Sequence, residues 1–208
     1  MGQICTAYFY LDMDQQPDLM KLVDIIQGCN FYYIGSGYDF ILDGDEFREV
    51  ENNYSAWSVD ELHALGENAI LTTQMWEGKE DSSFSINFLK HGVGWIAMFQ
   101  CSDHDLDRIG KHFNGTGKNI VSLFIDIYLV LSAKNIIVAN EFGLNIGQYL
   151  RFVDAGFSMH GKISDSIIAA LGLPEQCNKN LLNRGFEVLK VNGLDFYAQW
   201  PVWLSKES

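Results

Sequence analysis

The spacing of apolar and polar positions changes along the 208-residue chain, and each spacing predicts a type of element. Short runs rich in β-branched and aromatic residues predict strands, and they occupy 4–11, 31–42, 69–76 and 83–101. In the last of these runs, apolar and polar residues alternate on both sides of Gly92 and Gly94. That alternation indicates a β-hairpin.

Helical spacing appears twice in the first half of the chain. Residues 17–28 place Leu19, Leu22, Val23 and Ile26 on one face of a helix that begins near Pro17 and ends at Gly28. Residues 58–66 begin with a capping box, in which Ser58 is followed three positions later by Glu61. Both segments are predicted helices.

The second half predicts more helix. Residues 118–139 form one nearly all-apolar stretch, interpreted as a long helix, and shorter helical patches follow at 146–153 and 164–171, the last capped by Ser164. The chain closes with alternating residues at 186–200 around Asn192-Gly193, a strong hairpin pattern. This order of elements predicts an α+β fold: a mostly antiparallel sheet with helices packed on one face, and a C-terminal β-hairpin.

Composition favours one domain over residues 1–208. Hydrophobic residues make up 48% of the chain, only three prolines occur, and no linker-like or repeated segment interrupts the pattern. The N-terminal residues lack the basic region of a signal peptide, and Asp126 interrupts an apolar run at 119–131 that is too short for the about 20 residues of a membrane span. Four scattered cysteines fit reduced thiols. We therefore expect a cytoplasmic protein.

Charge is distributed unevenly. The formal net charge is −13, and residues 1–110 hold 19 Asp and Glu against 5 Lys and Arg, whereas residues 111–208 hold 8 against 9. Nucleic acids and anionic membranes attract positive surfaces, so neither is expected as a partner. Two explanations of this distribution remain, a basic protein partner or simply the solubility of the protein.

The segment CSDHDLDRIGKH at 101–112 resembles a metal site more than any other. His104 and His112 lie eight positions apart, about 12 Å along a helix, which is too far for a shared zinc ion. A calcium loop would need glycine where Arg108 stands and glutamate where Asn114 stands. A helix start explains more: Ser102 or Asp103 caps it, Asp107 and Lys111 pair, and the buried stripe consists of Leu106, Ile109 and Phe113. No metal and no cofactor are predicted.

Motifs for other chemistry are incomplete. NGTGKN at 114–119 lacks the first glycine and the final Ser or Thr of a phosphate-binding loop, which favours a connector between two helices. No serine has a nucleophile context. A spatial pair of Cys29 or Cys101 with His63, His91 or His160 stays open, without a pattern that selects one.

The acidic segment 38–52 is the candidate recognition surface. It interleaves acids with aromatics, as protein-binding surfaces do, although a solvated loop would have a similar composition. Further acids follow at Glu77, Glu80 and Asp81. The predicted partner-binding residues are Asp39, Asp43, Asp45, Glu46, Glu49, Glu51, Tyr54 and Trp57.

These observations predict a non-enzymatic, intracellular acidic protein that binds and neutralises a basic partner, in the manner of an immunity protein that inhibits a bacterial toxin domain. Two alternatives remain. One is an enzyme of unrecognised type, whose catalytic residues are scattered along the chain. The other is a small-molecule sensor or structural subunit that uses the apolar helix 118–139 as an oligomer interface.

Overall fold

A computed structural model describes residues 4–11, 18–35, 39–43, 46–50, 69–92, 94–116, 118–140, 146–157 and 167–199. The strands are β1 (Ile4–Leu11), β2 (Tyr32–Gly35), β3 (Asp39–Asp43), β4 (Glu46–Val50), β5 (Ala69–Glu77), β6 (Ser83–His91), β7 (Gly94–Ser102), β8 (Asn135–Asn140), β9 (Ile167–Leu171), β10 (Glu187–Val191) and β11 (Leu194–Ala198). The helices are α1 (Leu19–Gly28), α2 (Asp103–His112), α3 (Ile120–Val130), α4 (Ile146–Asp154) and α5 (Glu175–Asn183), and a short 3-10 turn spans Lys79–Asp81.

The eleven strands within these ranges form one sheet, and all their pairings are antiparallel. Their order is β10-β11-β9-β8-β1-β7-β6-β5-β3-β4, with β2 also paired to β5. The predicted α+β class and antiparallel sheet are therefore confirmed. The N-terminal strand β1 lies near the middle of this order, between β7 and β8.

Strands β2 and β3 follow one another along the same edge of β5. Gly35 pairs with Met75, and Phe40, five residues later, pairs with Ile70, five residues earlier in β5, so both strands keep one antiparallel register. A register shift between Tyr33 and Gly35 marks a bulge in β2. The run 31–42, predicted as strand, thus contains β2 and the start of β3, which lie end to end beside the same neighbour, β5.

Apolar residues form a core on each face of the sheet. Ala7 and Phe9 of β1 belong to the cluster under α1, α2 and α3, whereas the intervening Tyr8 belongs to the cluster under α4 and α5. The predicted packing of helices on one face holds for the first three helices. Helices α4 and α5 cover the opposite face and contribute Tyr149 and Leu181 to it.

Side chains cap α1, α2 and α3, and of these caps only Ser102 of α2 was predicted from the sequence. The Asp18 carboxylate accepts the backbone N–H of Lys21 at 3.0 Å, and the Asn119 side chain accepts that of Ser122 at 2.9 Å. Helix α1 begins after Asp18, close to the predicted start at Pro17, which lies outside the described residues. It buries Leu22 and Ile26 on the predicted face.

The predicted helix over 118–139 is wrong in its second half. Helix α3 ends at Val130, Ser132 adopts a φ of 50°, and Ile136 to Ala139 lie in β8, between β1 and β9. A strand that is buried on both faces is apolar throughout, so its sequence lacks the alternation of an exposed strand. The oligomer interface considered for this helix loses its basis, because α3 buries six residues in the core of its own chain.

The predicted helical patch at 164–171 is also corrected, since Ile167–Leu171 form strand β9. Ser164 and the predicted helix at 58–66 lie outside the described residues. Helix α5 was not predicted, whereas α4 confirms the patch at 146–153.

The C-terminal hairpin is confirmed. Strands β10 and β11 pair from Glu187 opposite Ala198 to Val191 opposite Leu194. Asn192 and Gly193 between them have φ angles of 51° and 79°, the positive values that a two-residue type I′ turn requires.

Candidate protein-binding surface

The acidic strands β3 and β4 form a hairpin at one end of the sheet. Asp39 pairs with Val50, Phe40 with Glu49, and Asp43 with Glu46. Because opposite residues share a face, positions 39, 43 and 46 lie on one face of the hairpin and position 49 lies on the other. The backbone thus gathers three of the predicted acidic positions on one surface.

The remaining four predicted partner-binding residues lie outside the described residues, namely Asp45, Glu51, Tyr54 and Trp57. Whether the eight positions form one surface stays a prediction. It rests on the sequence of this segment, in which acidic residues alternate with aromatic residues in the most acidic part of the chain.

A cluster of exposed apolar and aromatic side chains lies next to β3, on β2 and β5. We call Tyr32, Tyr33, Ile34 and Met75 the β2–β5 patch; they are 55%, 40%, 46% and 44% exposed. The sequence did not reveal this cluster. The uninterrupted run FYYI at 31–34 predicts a strand, but it does not show which of its side chains are exposed to solvent.

Acidic side chains border the patch. The Tyr32 hydroxyl donates to Glu77 Oε2 at 3.4 Å across the β2–β5 pairing. The Glu77 carboxylate is the main cause of a raised pKa at Tyr32, with smaller contributions from desolvation and from Asp81. An exposed aromatic ring therefore lies in the negative potential of two carboxylates.

Tyr33 ties the patch to the core. Its ring meets the buried Trp76 edge to face, with centroids 6.2 Å apart. Trp76 belongs to the same core cluster as Phe31, which directly precedes β2. Strand β2, which contains three of the four patch residues, is therefore packed against the core.

The turn after β5 adds two more acids. The Ser82 backbone carbonyl accepts the Gly78 N–H at 2.8 Å, and Glu80 and Asp81 adopt φ angles of 61° and 52°. Arg108 donates to the Asp81 backbone carbonyl at 3.3 Å rather than to its carboxylate. Across the described ranges, the carboxylates of Glu77, Glu80 and Asp81 form no ion pair.

The segment 101–112 contains a helix start, as predicted. Ser102 Oγ accepts the Asp105 backbone N–H at 3.0 Å, and Asp107 pairs with Lys111 at 2.6 Å. That ion pair lowers the pKa of Asp107. The predicted stripe is buried, and it consists of Leu106, Ile109 and Phe113.

Among the described residues, no three His, Cys, Asp or Glu side chains lie close enough together to hold a metal ion. None of the four cysteines forms a disulfide, and all four are buried. The residues 113–119 connect α2 to α3, which confirms the connector predicted for NGTGKN.

The histidines make contacts other than the cysteine pairs left open by the sequence. His91 Nε2 lies 2.8 Å from Asp154 Oδ1, and His63 and His160 lie outside the described residues. His112 is buried, accepts the Lys79 backbone N–H at Nδ1 and contacts the Cys29 carbonyl through Nε2. These are structural roles. The signal for His112 was its place three residues after Ile109, on the inner face of α2.

Cys29 faces a cation instead of a histidine. Its Sγ lies 3.6 Å from Lys118 Nζ, which is also 3.6 Å from Asp126 Oδ2. Burial raises the pKa of Cys29, and Lys118 partly opposes that effect. A raised pKa leaves the thiol protonated and poorly nucleophilic at neutral pH.

No described helix is sufficiently long and apolar to cross a membrane. No family model matches the sequence, and no curated protein matches it. Among solved structures, the chain is similar to the Pseudomonas aeruginosa T6SS protein PA0821, with 10% sequence identity and a TM-score of 0.41. The alignment covers 95% of this chain and 69% of that protein. An overlap this loose carries no argument about fold or function.

Proposed function

We propose that this protein binds and neutralises a basic protein partner, as an immunity protein does for a cationic toxin domain. One observation carries the proposal: the order of the strands converts the uneven charge of the sequence into an uneven distribution of charged residues along the sheet. Strands β2 to β5 at one end contain five acids and one base, whereas β8 to β11 at the other end contain two acids and one base.

A negative potential concentrated at one end of a molecule steers a positive partner toward that end. Steering of this kind raises association rates well above the about 10⁵–10⁶ M⁻¹s⁻¹ of neutral pairs and weakens as salt is added. The exposed aromatic residues supply the second requirement of tight binding, because aromatic anchors dominate interface energies and slow dissociation.

The negative charge also bears on the location of the protein and on the partners that it excludes. A cytoplasmic location suits a protein that protects its own cell from a basic toxin domain, and neither nucleic acid nor anionic membrane is a suitable partner for an acidic surface. No reaction is proposed. Within the described residues, the buried His112 and Cys29 each have structural contacts that account for them.

The experiment begins with affinity purification from the native cell, to identify a basic protein that binds stoichiometrically. Its capture is then compared for two triple variants of equal charge change. The test trio is Asp43→Lys, Asp45→Lys and Glu46→Lys, and the control trio replaces Glu175, Glu187 and Glu207 with Lys.

We expect the test trio to slow association and to flatten its dependence on salt, because peripheral charges act mainly on the association rate. The control trio should associate almost normally. If both trios slow capture alike, the acidic end has no special role in binding. If no basic protein binds stoichiometrically, the proposed function is wrong.

A further inference from the structure

Elsewhere in the described ranges, each exposed large apolar residue lies on a different element, Ile4 on β1 and Val188 on β10 among them. Met20, Leu129 and Leu182 lie on three different helices, α1, α3 and α5. Single exposed apolar residues are ordinary on soluble proteins, whereas a contiguous group indicates an interaction surface. Tyr32 and Met75 of the β2–β5 patch form such a group beside Glu77, because Tyr32 pairs with Glu77 and Met75 lies two positions before Glu77 on the same face of β5, whereas Tyr33 packs on Trp76 at the other face.

From this arrangement we infer that the β2–β5 patch is a docking site for a protein segment that presents arginine or lysine side chains. The inference rests on the proposed function and assigns it a second surface, distinct from the acidic hairpin β3–β4. Charge complementarity identifies the occupant. The two carboxylates that act on Tyr32, those of Glu77 and Asp81, have no ion pair within the described ranges, so they are available to a cation from outside.

Tyr32 and Glu77 provide the central contact. The phenol is 55% exposed and its hydroxyl lies 3.4 Å from the Glu77 carboxylate, so ring and carboxylate are adjacent. A guanidinium could stack on the ring while it donates hydrogen bonds to the carboxylate, which combines a cation–π contact with a charge-assisted pair.

The apolar members suit the rest of such a side chain. Arginine and lysine carry aliphatic stems that pack on apolar surface while the charged head reaches a polar partner. Ile34 and Met75 offer that surface, and the flexible thioether of Met75 adapts to different stems. An acidic segment would instead be repelled by the carboxylates of Glu77 and Asp81, so it is excluded as the occupant.

Methionine methyl groups allow a direct test in the intact protein. The chain has six methionines, and Met75 lies in the patch. Met20 on α1 is 73% exposed and serves as the exposed control, while the buried Met98 serves as the core control. The probe is an acetylated, amidated peptide of alternating arginine and leucine. A peptide with citrulline in place of arginine has the same shape without the charge.

We expect the arginine peptide to shift the ¹³C-methyl resonance of Met75 in a saturable way, while Met20 and Met98 stay in place. The citrulline peptide should leave Met75 unchanged. Tyr32→Ala and Glu77→Gln should each weaken the arginine peptide by about fivefold or more, given the size of one cation–π contact or charge-assisted bond. Leu182→Ala and Glu175→Gln on α5 are the matched controls and should not weaken it.

Three results would overturn the inference: equal shifts at Met20 and Met75, equal effects of both peptides, or no response at Met75. Its failure is separable from that of the proposed function. If Met75 does not respond but the Asp43, Asp45 and Glu46 trio still slows capture of the basic partner, binding occurs on β3–β4 alone. If Met75 does not respond and no basic protein binds stoichiometrically, the proposed function is wrong as well.

Discussion

His112 accepts the backbone N–H of Lys79 through Nδ1 at 2.8 Å, which joins the end of α2 to the turn that follows β5. Since Nδ1 is an acceptor, the ring proton resides on Nε2, which donates to the Cys29 carbonyl at 2.7 Å. The ring also stacks on Phe31 with centroids 4.1 Å apart. One buried imidazole thus fixes the end of α1, the residue before β2 and the acidic turn.

Replacing His112 with Ala should therefore destabilise the protein by about 2–4 kcal/mol, because two hydrogen bonds and a buried ring are lost together. Urea unfolding of both proteins measures the difference. The control is His104→Ala, an exposed position on the same helix, which should change stability by about 0.5 kcal/mol or less. Equal effects would mean that the contacts of His112 contribute nothing.

Tyr149→Phe should stabilise the protein by about 1–2 kcal/mol at neutral pH. The ring of Tyr149 stacks on Tyr8 with centroids 4.2 Å apart, and its buried hydroxyl has no hydrogen-bond partner among the described residues. Phenylalanine keeps the stacking and removes the desolvated hydroxyl. A lower urea midpoint for the variant would contradict this expectation.

Burial also holds the pKa of Tyr149 well above its usual value of 10.0. Below that value the phenol is protonated in both states; above it, the unfolded chain releases the proton while the folded protein retains it. Stability is therefore lost as pH rises from about 10 toward the folded pKa. Tyr149→Phe should lose less stability than the wild type between pH 9 and 11, and Tyr32→Phe, at an exposed site, is the comparison.

Asp126 on α3 should tolerate substitution better than its buried neighbours. Its side chain is 30% exposed and lies 3.6 Å from Lys118 Nζ, as expected for a carboxylate on a mostly apolar helix. Asp126→Asn should cost about 1 kcal/mol or less. Leu123→Asp should cost more than about 4 kcal/mol, because it places an unpaired charge at a fully buried position. Similar losses in denaturant melts would contradict the orientation of α3.

Two glycines should respond to alanine with opposite signs. Gly172 has a φ of 74°, and an added Cβ would collide with the Lys134 backbone carbonyl, so Gly172→Ala should destabilise by about 2 kcal/mol or more. Gly110 lies within α2 with open space around it, so Gly110→Ala should stabilise by about 0.5–1 kcal/mol. Thermal midpoints that move in the same direction would contradict the pair of expectations.

Elemental analysis of protein purified without chelator should find neither zinc nor calcium in stoichiometric amount. The polar groups at this helix start are already paired within α2: Ser102 caps it by accepting the Asp105 N–H, and Asp107 forms an ion pair with Lys111. A cation is therefore not needed here. One equivalent of metal that disappears on Asp103→Ala would overturn the assignment.

The sequence by itself determined the elements whose signals are local. Asn192-Gly193 requires two residues with positive φ, which only a few residue types tolerate, and the hairpin around it follows. Ser102 and Asn119 cap the helices that they precede, because a cap needs only its neighbouring backbone N–H groups. The class of the fold and the start of α2 were predictable for this reason.

Only the tertiary structure decided the identity of 135–140 and 167–171. Residues 136–139 and 167–171 are apolar throughout, and such runs suit a buried helix and a central strand equally well until neighbouring strands occupy both edges. The β2–β5 patch depended on the fold in the same way. Tyr32 lies next to Glu77, 45 positions away, only because an antiparallel register brings them together, and no local pattern encodes that pairing.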